Sequence, residues 1–276
     1  SVLRHLLLLV VQRQAENFNP QNLSNTLWAM ATLGFGLSSS QEHSGSMCLI
    51  LESDWQVEDS KLMLETVNVI VQSSIRMLPK VLSQNLNNVA WALARLLPNT
   101  RNASRETDAE LGVRDVNKLL RGIGRRLADP RMVVNSQGVS NTLWGMAKLE
   151  FFDADIYQGV VSRLLSPEIT AQCNPQVYAN SLWAMATSEL EIAGKLVFDT
   201  SLVPMSERAA QPTDSATTVF GLAAKDMMIR PHQYKPQHIT NILWSFSKLG
   251  IRHPLLFRTM AQHLAGDYED GAEARG

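Results

Sequence analysis

The sequence predicts an all-α chain: an α-solenoid of about five helix-pair repeats, a right-handed superhelix-like array with loop insertions. Three observations predict it. Five of the six tryptophans close the same pattern, Q-x-x-x-N-x-x-W. The stretches between the copies carry helical apolar spacing. No strand-like alternation of any length occurs.

The copies are Gln21, Asn25, Trp28; Gln84, Asn88, Trp91; Gln137, Asn141, Trp144; Gln176, Asn180, Trp183; and Gln237, Asn241, Trp244. Pro or Ser precedes each Gln, which suits a helix start. The spacing predicts motif helices near 20–34, 83–97, 136–150, 175–188 and 236–250. Trp144 and Trp183 are 39 residues apart, the length of two helices and two turns. The other Trp spacings are 63, 53 and 61, so those units carry insertions. The insertions read as loops: 36–45 is rich in Gly and Ser, 98–104 is polar, and 204–214 has two prolines. Partner helices are expected over 57–78, 106–128, 153–165, 215–228 and 254–264, with the opening stretch to about Ala15 as the second helix of an earlier unit. About eleven helices follow. Leu97 and Glu150 stand where Gly would end the motif helix, so those two helices are expected to run on. Residues 1–265 read as one array and 266–276 as a disordered acidic tail.

Composition bounds the function. The chain has 276 residues, 45% hydrophobic and 18% charged, enough apolar material for a sizeable core. A net charge of -1 excludes a chain that is basic throughout, though not a basic surface on one side. Two cysteines, Cys48 and Cys173, exclude a disulfide scaffold and a four-cysteine zinc site; both read as plain thiols. No apolar run is long enough for a membrane span. The run from Leu6 to Val11 has neither an initiator Met nor a cleavage site and reads as a helix end, so the sequence is expected to be a fragment or a processed product.

With Gln as position 1, positions 3, 7 and 10 are apolar in nearly every copy and form one stripe toward the partner helix. The Trp at position 8 is expected to flank that stripe and fill the joint between units. Position 9 is always small, so a neighbouring helix or a ligand comes close there. Position 5 is always Asn, unfavourable inside a helix without a partner; five in register suit a hydrogen-bond ladder between units. Positions 2 and 6 vary: Asn22/Thr26, Asn85/Val89, Gly138/Thr142, Val177/Ser181 and His238/Ile242. Variation there suits either base readout or an exposed face that drifts freely.

The motif stretches 19–34, 82–97, 135–149, 174–188 and 235–249 contain no Asp or Glu, where about seven would be expected at the chain average. Either they are mostly buried or their exposed face meets a polyanion. Position 12 carries Arg95, Lys148 and Lys248, which suits phosphate contact. A second basic stripe, Arg114, Lys118, Arg121 and Arg125, lies on one face of a partner helix, with Arg126 and Arg131 nearby. It is a phosphate contact or a solvated outer face.

Q-x-x-x-N-x-x-W followed by Ala, Met or Leu, and Ala, then Leu-Gly, in units near 38 residues, resembles the octotricopeptide repeat. Residues 19–35 and 235–251 carry the resemblance best, and it spans essentially the whole chain. It implies an RNA-binding α-solenoid of chloroplasts or mitochondria, related to RAP-domain and FAST kinase-like proteins, that stabilises, processes or promotes translation of organellar transcripts. Single-stranded RNA, with other proteins of an organellar RNA complex, is the implied partner. No catalytic constellation is present: no G-x-S-x-G, no Walker loop, no H-E-x-x-H. Gly122 and Gly124 sit in a helical pattern without a preceding strand, and His232, His238 and Asp226 lack metal-ligand spacing. The expectation is a binding protein with no cofactor and no metal, selective for RNA sequence. The alternatives are a protein-interaction scaffold of armadillo or HEAT type, and the RNA-targeting fragment of a larger RNA-processing enzyme.

Overall fold

The structure, a computed structural model, describes residues 2–33, 57–97, 112–189 and 219–273, and among them it is all-helical. The expected loops 36–45, 98–104 and 204–214, the helix starts 106–111 and 215–218, and Cys48 lie outside the described residues.

The motif helices are α2 (Pro20–Thr32), α4 (Ser83–Leu96), α6 (Ser136–Lys148), α9 (Pro175–Glu189) and α11 (Pro236–Lys248). Partner helices are α1 (Val2–Gln12), α3 (Val57–Met77), α5 (Val113–Ala128), α7 (Ala154–Leu164), α10 (Val219–Ile229) and α12 (Pro254–Glu273). A single turn, α8 (Pro167–Thr170), was not foreseen. The motif helices pack on one another in chain order, α2 on α4, α4 on α6, α6 on α9 and α9 on α11. The partner helices form a second row, with α1 on α3, α3 on α5, α5 on α7, and α10 on α12.

Local chemistry fixes the helix starts. The Asn19 side chain accepts from the Asn22 amide at 2.8 Å, and the Asn22 side chain accepts from the Asn19 amide at 3.0 Å. Asn135 caps α6 through Gly138 N at 2.7 Å, Asn174 caps α9 through Val177 N at 3.0 Å, and Asp153 caps α7 through Ile156 N at 3.3 Å. At α11 a His takes this part: His238 Nδ1 accepts from the Lys235 amide at 3.3 Å.

The helix ends correct two expectations. Neither α4 nor α6 runs on: α4 stops at Leu96 and α6 at Lys148. Glu150 turns the chain in the left-handed conformation (φ 55°), as Gly250 does after α11 (φ 68°). The same two bonds close both ends. Phe151 N donates to Met146 O at 2.9 Å, as Ile251 N does to Phe246 O at 2.8 Å; Glu150 N donates to Ala147 O and Gly250 N to Ser247 O. At the C-terminus α12 continues to Glu273, so the stretch expected to be a disordered tail is helical through most of its length. Extending a formed helix adds one backbone bond for each residue fixed, which carries α12 through Gly266. No described helix is long and apolar enough to cross a membrane.

The core lies between the two rows. Positions 3, 7 and 10 are buried in every motif helix except for half-buried Leu243: Leu23, Leu27 and Met30 in α2, and Val139, Leu143 and Met146 in α6. They meet Val67, Ile70, Leu119, Ile123, Tyr157 and Val160 of the partner row in one continuous cluster. The Gly122 and Gly124 pair lies inside α5, where a Cβ on Gly124 would collide with Ile156 and one on Gly122 with Leu78; these glycines serve helix packing.

Candidate nucleic-acid interface

A helix stacked between two neighbours and a second layer has four sides, and burial assigns each motif position to one. Residues advance about 100° per position. Positions 3, 7 and 10 point to the partner row. Positions 2, 6 and 9 point to the preceding motif helix, and positions 4 and 11 to the following one. Positions 1, 5, 8 and 12 fall within roughly 60° of each other, opposite the core stripe.

The joints show this directly. A Cβ on Gly145, position 9 of α6, would lie 2.7 Å from the backbone oxygen of Ala90 in α4. Ala92, Ala184 and Ser245 hold the same position, fully buried. The close approach at position 9 is therefore a neighbouring helix. Position 4 reaches forward: Ser24 Oγ hydrogen-bonds Asn85 Oδ1 at 3.2 Å, Thr142 Oγ1 hydrogen-bonds Asn87 Oδ1 at 3.1 Å, and Ser140 Oγ donates to Val177 O at 3.2 Å. The end helices complete the picture. No described motif helix precedes α2, and there Asn22 and Ala29 are exposed and Thr26 half-buried, beside a groove of about 750 Å³ lined partly by Leu6, Val10 and Leu33. None follows α11, and there Thr240 and Ser247 of positions 4 and 11 are exposed.

This overturns the expectation for the variable positions. Val89, Gly138, Thr142, Val177, Ser181 and Ile242 are buried in the joints and offer no edge to a ligand. Asn85 is half-buried against Ser24, and His238 is half-buried at the start of α11. They vary because each joint is packed differently. The expectation for the tryptophans is corrected in part. Trp28 is 47% exposed and Trp244 41%, while Trp91, Trp144 and Trp183 are half-buried, Trp91 and Trp183 packed against the hydrophobic cluster. An indole at position 8 sits beside Gln and Asn at the edge of the core.

The outward side is thus a lane four residues wide on each of five helices: Gln21, Asn25, Trp28, Thr32; Gln84, Asn88, Trp91, Arg95; Gln137, Asn141, Trp144, Lys148; Gln176, Asn180, Trp183, Thr187; Gln237, Asn241, Trp244, Lys248. All twenty side chains are exposed or half-buried, and none is acidic. Among the described residues no hydrogen bond joins the asparagines into the expected ladder; the one bond within the lane between amides runs from Gln137 Nε2 to Asn141 Oδ1 at 2.9 Å. The asparagines keep donors and acceptors open to solvent. Cations lie over the indoles, Arg95 5.2 Å from the Trp91 ring centre. Lys148 bridges two units, 5.9 Å from Trp144 and 5.3 Å from Trp183, so adjacent units are continuous along the lane. Helical arithmetic on the invariant residues alone would have placed Gln, Asn, Trp and position 12 together.

The second basic stripe lies elsewhere. Arg114, Lys118, Arg121 and Arg125 are all exposed on α5, in the partner row. Arg121 is engaged with Asp153 at 3.3 Å and lies over Phe151. Arg126 donates to the backbone oxygens of Pro79 and Val81 and holds the turn after α3. Arg131 pairs with Asp129 at 2.8 Å, and this hydrogen-bonded partner holds the Asp129 carboxyl down at about 2. These last two are structural.

The remaining titratable groups are built into the packing. Asp226 binds Arg230 and accepts from the Tyr234 hydroxyl. Burial pushes the Cys173 thiol up to about 11, so it is a poor nucleophile. Burial, with Lys235 nearby, lowers the His238 imidazole, in keeping with a lone pair that accepts a backbone amide. Among the described residues no three His, Cys, Asp or Glu side chains converge to hold a metal. No protein-family model matches the chain, and no curated protein matches it.

Proposed function

We propose that the chain is an RNA-binding α-solenoid whose two helix rows continue as a right-handed superhelix-like array, and that single-stranded RNA lies along the outward side of its motif helices. The observation that carries this reading is the lane itself: indoles, open amides and three cations on one continuous side with no carboxylate among them. Arg95, Lys148 and Lys248 would hold phosphates, the first two standing beside indoles against which a base can rest. Arg114, Lys118 and Arg125 would be a separate, outlying phosphate contact on the partner row. Bound RNA would be shielded from nucleases or held open for other factors. The resemblance to octotricopeptide repeats supports placing this activity in a chloroplast or mitochondrion, in transcript stabilisation, processing or translation, alongside other proteins of an RNA complex. The resemblance and the absence of a recognisable catalytic motif support a binding role in place of an enzymatic one.

The test is binding of the whole chain to random-sequence single-stranded RNA at two salt concentrations. The three lane contacts alone predict that they contribute about -2 to the slope of log K against log salt, from roughly -0.7 for each contact on a single strand. Replacing Arg95, Lys148 and Lys248 together with Gln should remove that share of the slope and leave only what the α5 stripe contributes. A chain that captures no RNA at low salt is better read as a protein-interaction scaffold.

A further inference from the structure

Gln, Asn and Trp of the lane are the same in every unit and position 12 is either Thr or a cation, while most of the variable residues at positions 2 and 6 are buried in the joints. A surface made of five copies of Gln, Asn and Trp presents the same contacts five times. It therefore suits a ligand whose own units are chemically alike along its length. The strand proposed above has such a repeat in its sugar–phosphate backbone and in the flat faces of its bases, which every base possesses. It lacks such a repeat in its base edges. An Asn or Gln amide carries both a donor and an acceptor, so it can meet any of the four edges by turning over. We infer that the described lane binds single-stranded RNA with little discrimination between bases, by stacking on the five indoles, and that it does not read sequence. This rests on the RNA-binding reading and specifies its mode.

The geometry gives each part a task. Trp28 and Trp244 are exposed and Trp91, Trp144 and Trp183 half-buried, so each indole keeps some surface that a planar group could meet. Lys148 stands between two indoles of adjacent units, where a phosphate linking two stacked bases would meet it. Arg95 stands over one indole in the same way. Most of the residues that could have told one base from another, at positions 2 and 6, are covered by the preceding helix, as Gly138 and Thr142 are by Asn87. Only the open side of α2, with Asn22 and Thr26 uncovered, departs from this uniformity.

The experiment uses the full chain and four probes of equal length: oligo(U), oligo(A), oligo(C), and a sugar–phosphate strand lacking bases. The expected result is affinities for the three base-bearing strands within about five-fold, and binding of the base-free strand weaker by about ten-fold or more. The variant Trp28→Leu/Trp244→Leu changes the two most exposed indoles, and a thermal melt checks that it folds. It should weaken the base-bearing strands by about ten-fold or more while leaving the base-free strand unchanged. Preference for one base by a hundred-fold, or equal binding of the base-free strand, overturns the inference while RNA binding stands. Failure to bind any strand at low salt overturns the RNA-binding reading and this inference with it.

Discussion

The lane and the joints belong to the same five helices, yet they obey opposite rules. In the lane Gln, Asn and Trp recur and the side chains are exposed or half-buried. In the joints positions 2 and 6 change from copy to copy and are mostly buried. The usual pairing, a constant core and a drifting surface, is inverted. A joint has only to fill space between two particular helices, and Asn87 with Thr142 or Ala90 with Gly145 are local solutions to that problem. The lane gains nothing for packing by repeating Asn five times, since Asn is a mediocre helix former and its amides here make no ladder. The proposed contact with RNA would account for that uniformity.

The largest effect expected from testing this contrast is in a joint. Gly145→Leu places a side chain against the Ala90 backbone, which cannot move aside as a flexible side chain could; it should cost about 3 kcal/mol in denaturant unfolding. A neutral result would mean that α4 and α6 do not approach closely there. Next is the end of α6. Glu150 occupies a left-handed turn that Gly250 adopts freely, so Glu150→Gly should gain about 1 kcal/mol and Gly250→Ala should lose about as much, both read from melting curves. If Glu150→Gly destabilises, the contacts made by the Glu150 side chain outweigh the strain.

Smaller in energy but more discriminating is Asn25→Ala in the lane. If the asparagines were a structural ladder, each loss would destabilise. The open lane predicts the reverse: a gain of about 0.5 kcal/mol from helix propensity, with RNA binding weakened. The smallest effect concerns acid. His238 caps α11 in its neutral form and its pKa lies below the ordinary value of 6.5. The unfolded chain therefore takes up this proton first, and the stability due to the cap, complete above about pH 6.5, declines as the pH falls through the lower folded value. His238→Asn, which copies the Asn22 cap of α2, should remove that part of the acid sensitivity in melts between pH 7 and 5.

Much of this fold was legible in the residues. The apolar stripe at positions 3, 7 and 10 placed all five motif helices, and Pro or Ser before each Gln placed their starts to within a residue or so. The lateral sides were harder, because helical spacing says which positions share a side but not which side has a neighbour. The size of an indole suggests a joint for Trp28 and its counterparts, although position 8 lies beside Gln and Asn on the wheel. Variation at positions 2 and 6 suits base readout or a drifting exposed face, yet Val89, Gly138, Thr142, Val177, Ser181 and Ile242 are buried in the joints. The end of α6 was illegible for another reason: nothing in Leu-Glu-Phe announces a left-handed Glu, and the backbone bonds of Phe151 and Glu150 hold it there.

The central question is whether the invariant side of the motif helices meets RNA. The most direct measurement is quenching of the chain's tryptophan fluorescence by acrylamide, with and without saturating random-sequence single-stranded RNA. The lane predicts a clear loss of quencher access once RNA is bound, because stacked bases would cover the exposed faces of the five indoles. RNA that binds and leaves quenching unchanged would place the contact elsewhere, on the α5 stripe or the open side of α2, and would contradict the lane as the binding surface.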